Sequence, residues 1–190
     1  MAKPRLFLVA PETLSPEQIL ACAKAACAAG DAASIVVPAS VSAAVTAELQ
    51  KLGLAVLGAG NSKTIAETKC DGVHLAALDH DLVATRSAIG QKAIMGAFCG
   101  ASRHVAMQAA EDGADYIALS QNTYTPSEPI IGWWADLFEV PCVAFDPVEP
   151  KDLDILLPQS PDFIRPSDAM WSSPEEAGRI IAELAQRMTT

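Results

Sequence analysis

The chain has 190 residues, 51% of them hydrophobic, with 13 Lys and Arg against 23 Asp and Glu and a formal net charge of −10. That size suits one globular domain, residues 1–190, able to bury a substantial core, and the acidic balance argues against nucleic acid or an anionic membrane as partner. No apolar run reaches the roughly 18 residues that span a bilayer, and the opening MAKPRLFLVAPE is too short in apolar length for a secretory signal, so a cytoplasmic protein is expected.

Short β-branched runs alternate with alanine-rich stretches of helical period. RLFLVA from Arg5 reads as a strand and Ser15 to Ala29 as a helix, with Ser15 as cap and Pro16 at its first position. ASIVVP from Ala33 precedes a helix from Val41 to Leu52, LAVLG from Leu54 one from Lys63 to Lys69, and GVHL from Gly72 one from Asp81 to Ile89. AIMGAF from Ala93 then leads to Ser102 to Gly113, YIALS from Tyr116 to Ile131 to Phe138, and PCVAF from Pro141 to Lys151 to Leu157. DFIRP from Asp162 precedes the last helix, Pro174 to Arg187, which Ser173 caps.

Eight strand–helix units predict an α/β fold, a single (β/α)8 TIM barrel, compact and with short loops because such barrels usually need about 250 residues. A doubly wound open sheet is the competing arrangement. In a barrel the chemistry belongs on the loops that follow the strands, so a small-molecule ligand is expected at the C-terminal mouth. The five cysteines, Cys22, Cys27, Cys70, Cys99 and Cys142, are scattered and form no CxxC pair, which predicts reduced and mostly buried thiols.

The stretch CDGVHLAALDHD, Cys70 to Asp81, carries two of the three histidines. His74 falls within the fourth strand, with Val73 and Leu75 pointing the opposite way, and Asp79, His80 and Asp81 fall in the loop beyond it. His74 is either a base at the mouth or a satisfied core histidine. Asp79 is either a ligand or the cap of the next helix, in competition with Asp81. Cys99, beside Gly100, Ser102 and His104, reads as an activated thiol or as a buried inert one. QNTYTPSEP, Gln121 to Pro129, reads as a lid or as an idle turn, and Trp133 and Trp134 as core or interface packing.

CDGVHLAALD resembles the ADGVHLGQxD segment of thiamine phosphate synthases, and EDGADYIALS resembles their xxGADYxxxG segment. LFLV at the start, TRSAIG before strand five and VPCVAF in strand seven extend the likeness, in order, over nearly the whole chain. The resemblance implies a TIM barrel of thiamine biosynthesis and a transferase reaction. That reaction joins hydroxymethylpyrimidine diphosphate to thiazole phosphate and releases diphosphate with the help of Mg²⁺.

Position by position the resemblance is uneven. Asp79 matches one metal-binding aspartate of the family, but its ND pair falls on Ala59 and Gly60, which leaves Mg²⁺ one carboxylate short, with Asn61 as a neutral neighbour. The family's QxRxK on strand two reads IVVPASV, its lysine after strand six falls on Glu128, and its serine at the end of strand five becomes Phe98 or Cys99. Its GGI phosphate loop after strand seven reads FDPVEP, where Asp146 repels phosphate and Pro147 offers no N–H. Arg165 and Ser167 after strand eight form a replacement anion site, or Arg165 is an ordinary surface cation. The implied site set is therefore His74 as catalytic residue, Cys99, Ser102, Arg165 and Ser167 at the substrate, and Asp79 at the metal. Three functions stay open: an altered or inactive thiamine phosphate synthase-like enzyme, a thiazole tautomerase-like proton-transfer enzyme led by His74, and a non-catalytic ligand- or protein-binding homologue. The sequence is compatible with an oligomer.

Overall fold

A computed structural model describes residues 3–60, 62–121 and 129–189. Eight parallel strands close into a barrel in chain order. They are β1 (Arg5–Val9), β2 (Ala32–Val37), β3 (Ala55–Ala59), β4 (Gly72–Ala76), β5 (Ile94–Phe98), β6 (Tyr116–Leu119), β7 (Cys142–Val148) and β8 (Phe163–Pro166). Pairing of Arg5 with Phe163 joins β1 to β8, which overturns the open-sheet alternative. The helices are α1 (Pro16–Ala29), α2 (Ala43–Lys51), α3 (Ser62–Thr68), α4 (Leu82–Ile89), α5 (Arg103–Glu111), α6 (Ile130–Leu137), α7 (Leu153–Leu156) and α8 (Pro174–Arg187). Among the described residues no helix is long and apolar enough to cross a membrane.

The strands read as unbroken apolar runs because both of their faces are covered. Leu6, Leu8, Val73, Leu75, Ile117 and Leu119 point outward and belong to the core between sheet and helices. Phe7, Val36, Leu57, Tyr116, Ala118 and Val143 point inward and fill the lumen, with Phe98, Phe145 and Phe163 packed on them. The period of two along each strand therefore sorts residues between two cores rather than between core and water.

The expected helix starts hold. The Ser15 hydroxyl accepts from Gln18 N, and Gln18 returns a hydrogen bond to the Ser15 backbone, while the Ser173 hydroxyl accepts from Glu176 N. α1 and α8, the first and last helices, pack against each other across the β1–β8 seam.

Three departures cluster after the seventh strand. β7 runs on to Val148, and its pairing with β8 slips between Ala144 and Val148, because Pro147 interrupts the ladder. The helix expected over Lys151 to Leu157 is one turn, Leu153–Leu156, between 3₁₀ turns at Pro150–Asp152 and Leu157–Gln159. Pro150 and Pro158 lack the N–H that a longer helix needs. A further 3₁₀ turn, Asp168–Ser172, fills the loop after β8.

Candidate active site at the barrel mouth

His74 points into the lumen from β4, and its Nδ1 lies 2.7 Å from the Tyr116 hydroxyl on β6. The two ring planes differ by 13°. Phe145 of β7 stacks on the imidazole at 5.0 Å and 21°, and Phe7 of β1 stands 5.9 Å away. Burial and, after it, the positive charge of Arg165 lower the His74 pKa from 6.5 to about 4, so the ring is neutral at pH 7. By surface area the residue as a whole is partly buried. Tyr116 is 6% exposed, and burial raises its pKa well above the ordinary phenol range, with Asp115 adding to the shift.

The Tyr116 ring reaches His74 by crossing β5 at Gly96. A Cβ at Gly96 would sit 1.8 Å from Tyr116 Cζ and 2.1 Å from its hydroxyl oxygen, so that strand position has no room for any side chain. Sequence reasoning passed over Tyr116, although an aromatic at an inward position of β6 beside a strand glycine is the signal for it.

Arg165 also points inward, from β8, with 17% of its side chain exposed. Its Nη2 donates to both oxygens of Asp168 at 2.8 and 3.0 Å, and its Nη1 donates to the Phe145 carbonyl at 3.3 Å. The guanidinium carbon lies 5.1 Å from the Phe145 ring centroid. Its Nε is buried without a hydrogen-bond partner among the described residues. Arg165 is thus an inward cation, braced against Phe145 and neutralised by Asp168, and not the ordinary surface cation of the alternative reading.

The remaining predicted residues stand apart from this lumen. Cys99 has the outward parity of Ala97 and joins the core under the helices. Its thiol donates to the Ala97 carbonyl at 3.5 Å, and burial pushes its pKa up to about 12, the environment of an inert thiol. Ser102 caps α5 by accepting from Val105 N at 3.3 Å. The Ser167 hydroxyl accepts from Ala169 N at 3.4 Å, and its own N–H donates to Val148 O at 2.9 Å. Trp134 is fully buried and donates its indole N–H to Val140 O at 2.7 Å, in keeping with core packing.

Asp79 lies exposed in the β4–α4 loop. The cap of α4 is Asp81, whose Oδ1 accepts from Ala84 N at 2.9 Å, so Asp79 is not the cap. Ala59 and Gly60 bring no carboxylate from the end of β3, and no three His, Cys, Asp or Glu side chains gather into a metal-sized cluster among the described residues. One exposed carboxylate does not fit a resident Mg²⁺. Asn61, Glu128 and residues 122–128 of the lid candidate lie outside the described residues.

At the β6–β7 edge the Ser120 hydroxyl lies 2.9 Å from both carboxylate oxygens of Asp146. The Gln121 amide donates to Asp146 O at 3.1 Å and accepts from Asp146 N at 3.0 Å, which continues the β6–β7 pairing with a side chain beyond Leu119 and Ala144. The mouth thus presents a fixed acid, a neutral imidazole and aromatic walls.

A profile of the thiamine monophosphate synthase family matches residues 6–158. A thiamine-phosphate synthase from Rhodospirillum centenum is 29% identical over 97% of this chain and 97% of its own length. One from Erythrobacter litoralis is 37% identical over 57% of this chain and 56% of its own length. Among solved structures, thiamine phosphate pyrophosphorylase from Pyrococcus furiosus superposes with a TM-score of 0.80 at 18% identity, over 98% of this chain and 96% of that one, a likeness of fold. With a family match over most of the barrel and a closed eight-stranded architecture to go with it, the chain belongs to the thiamine monophosphate synthase family.

Proposed function

We propose that this barrel has exchanged the anion cradle of its family for a rim that takes a weakly charged, planar small molecule, with diphosphate displacement altered or lost. The observation that carries the reading is the Asp146 carboxylate, held by the Ser120 hydroxyl while Gln121 pairs with the Asp146 backbone, where the family resemblance calls for a phosphate loop. The fixed acid repels phosphate, its own N–H is already donated to Gln121, and Pro147 has no N–H to offer in place of a glycine loop.

Three further features support the same reading. Arg165, the cation at the lumen, already has its charge met by Asp168. The end of β2 carries Val36, Val37 and Pro38, all buried, where the resemblance calls for polar and cationic side chains. The walls beside His74 are Phe7, Tyr116 and Phe145, which suit a flat ring. Between the two remaining alternatives, ligand binding is favoured over proton transfer. A base whose pKa is about 4 stands far from the near-neutral value that general-base catalysis favours.

Calorimetric titration of the purified chain with hydroxymethylpyrimidine diphosphate plus Mg²⁺, and with thiazole phosphate, tests this. Weak heats and no thiamine phosphate are expected. Tight binding of both with turnover would overturn the proposal.

A further inference from the structure

The contact between His74 Nδ1 and the Tyr116 hydroxyl, at 2.7 Å, admits two arrangements of protons. If Nδ1 carried the hydrogen, it would donate to the phenol oxygen, and the phenolic hydrogen would be left inside the lumen without an acceptor. No other hydrogen-bond partner of Tyr116 exists among the described residues, and the residue is 6% exposed. If the phenol donates to Nδ1, both atoms are satisfied and the imidazole hydrogen sits on Nε2. The second arrangement leaves no buried donor unmade.

We infer that Tyr116 is a positioning residue that locks His74 as the neutral Nε2–H tautomer, so that the imidazole offers the mouth a hydrogen-bond donor and selects ligands carrying a ring-nitrogen acceptor. The surroundings are built for this. Gly96 vacates the space that the Tyr116 ring crosses. Phe145 covers the imidazole at 5.0 Å and Phe7 closes the side at 5.9 Å, with no polar group on either ring to compete for Nδ1. Nδ1 is taken by the phenol and Nε2 has no hydrogen-bond partner among the described residues, so Nε2 is the ring nitrogen left for a ligand.

The tautomer stands on this geometry alone; the choice of ligand rests on the reading that the mouth takes a weakly charged ring. A ring nitrogen with an in-plane lone pair accepts from Nε2–H, whereas a carbon ring of the same size stacks equally well but leaves the donor unmet. Ligands of the first kind are therefore preferred over their carbon isosteres.

Long-range proton–nitrogen NMR on the full chain, labelled at histidine nitrogens and kept at pH 7.5, tests the tautomer directly. His74 is assigned as the signal that disappears in His74→Gln. A pyridine-like Nδ1 and a pyrrole-like Nε2 are expected, and Tyr116→Phe should move the shifts toward a mixture of tautomers, which a purely structural role for the phenol would not do. A pyrrole-like Nδ1 in the wild type, or shifts unmoved in Tyr116→Phe, would overturn the inference. Should Tyr116→Phe fail to fold, the wild-type spectrum still decides. Titration with pyridine and with benzene, followed at His74 Nε2, tests the ligand class. At least fivefold tighter binding of pyridine is expected, and equal affinities or no binding of either would overturn it. Binding of diphosphate in the calorimetric experiment would sink the proposed function while leaving the tautomer result in place.

Discussion

The Ser120 hydroxyl stands 2.9 Å from each carboxylate oxygen of Asp146, so one donor from the end of β6 orients an acid at the end of β7. A hydroxyl has a single hydrogen, and it is shared between the two oxygens. Gln121 adds an amide pair to the Asp146 backbone and fixes the same corner a second time. The acid is therefore a built part of the rim. Asp146→Asn keeps the hydroxyl contact and removes the charge. Affinity for inorganic pyrophosphate should then rise about fivefold at low ionic strength, the effect of about 1 kcal/mol from one nearby charge, and the gain should shrink in high salt. Calorimetry at two salt concentrations measures it, and an unchanged affinity would remove Asp146 as the excluding group.

Gly96 and Tyr116 form a second dependent pair. The missing Cβ of Gly96 is what admits the phenol ring, since an added methyl would lie 1.8 Å from Tyr116 Cζ. Gly96→Ala should destabilise the fold by about 3 kcal/mol, the upper part of the usual range for overpacking, because both strand backbones are held in the barrel ladder. In a Tyr116→Ala background the same substitution should be much milder. Denaturant unfolding of the two single variants and the double variant closes the cycle. Additive losses would show that the crowding is relieved elsewhere.

The barrel itself was legible because its signals are local. Each strand is a short apolar run covered on both faces, and Ser15, Ser102 and Ser173 mark helix starts with their own side chains. The site was legible in part. Alternation set His74 on the face opposite Val73 and Leu75 within one strand, without reference to any other, and barrel closure makes that face the lumen. Tyr116 was not legible, because its meeting with His74 requires the registers of β4, β5 and β6 together with the absence of a side chain at Gly96. Arg165 reads identically on a surface and in a lumen, and only closure of β8 onto β1 decides between them. The kinked end of β7 and the one-turn α7 depend on Pro147, Pro150 and Pro158, whose effect on length is set by the neighbours they pack against.

Arg86 holds the opposite end of the barrel. Its side chain is 9% exposed and ion-pairs with Asp115 at 2.6 Å. It also donates to the carbonyls of Gly90, Ala93 and Gly113 at 2.8 to 3.1 Å. The same Asp115 oxygen accepts from Met95 N at 2.7 Å, so one guanidinium ties α4, β5 and the turn before β6. Arg86→Ala should cost about 3–5 kcal/mol, since three carbonyls and a carboxylate lose their donor together. Arg86→Lys should recover only part of this, because an ammonium lacks the planar fork that reaches several acceptors at once. Urea midpoints measured at constant slope decide, and full recovery by lysine would reduce the interaction to simple charge.

His74 makes stability depend on pH with a defined sign. Its pKa falls from 6.5 in the unfolded chain to about 4 in the barrel, through burial first and the charge of Arg165 second. Between those values the unfolded chain binds a proton that the folded chain refuses, so unfolding gains as the pH drops. The full stability is present above pH 6.5 and is lost progressively toward pH 4. The slope is about 1.4 kcal/mol per pH unit, and the whole loss is about 3 kcal/mol. Acids with lowered pKa values, Glu48 and Glu176 among them, also weaken the fold at low pH, so the wild-type curve alone does not isolate the histidine. The difference between wild type and His74→Gln does, because those acids are common to both chains. Urea unfolding from pH 7 to pH 4.5 should show the variant losing stability less steeply than the wild type. Parallel curves would mean that the imidazole is solvated in the folded state and that burial against Phe7, Tyr116 and Phe145 does not lower its pKa.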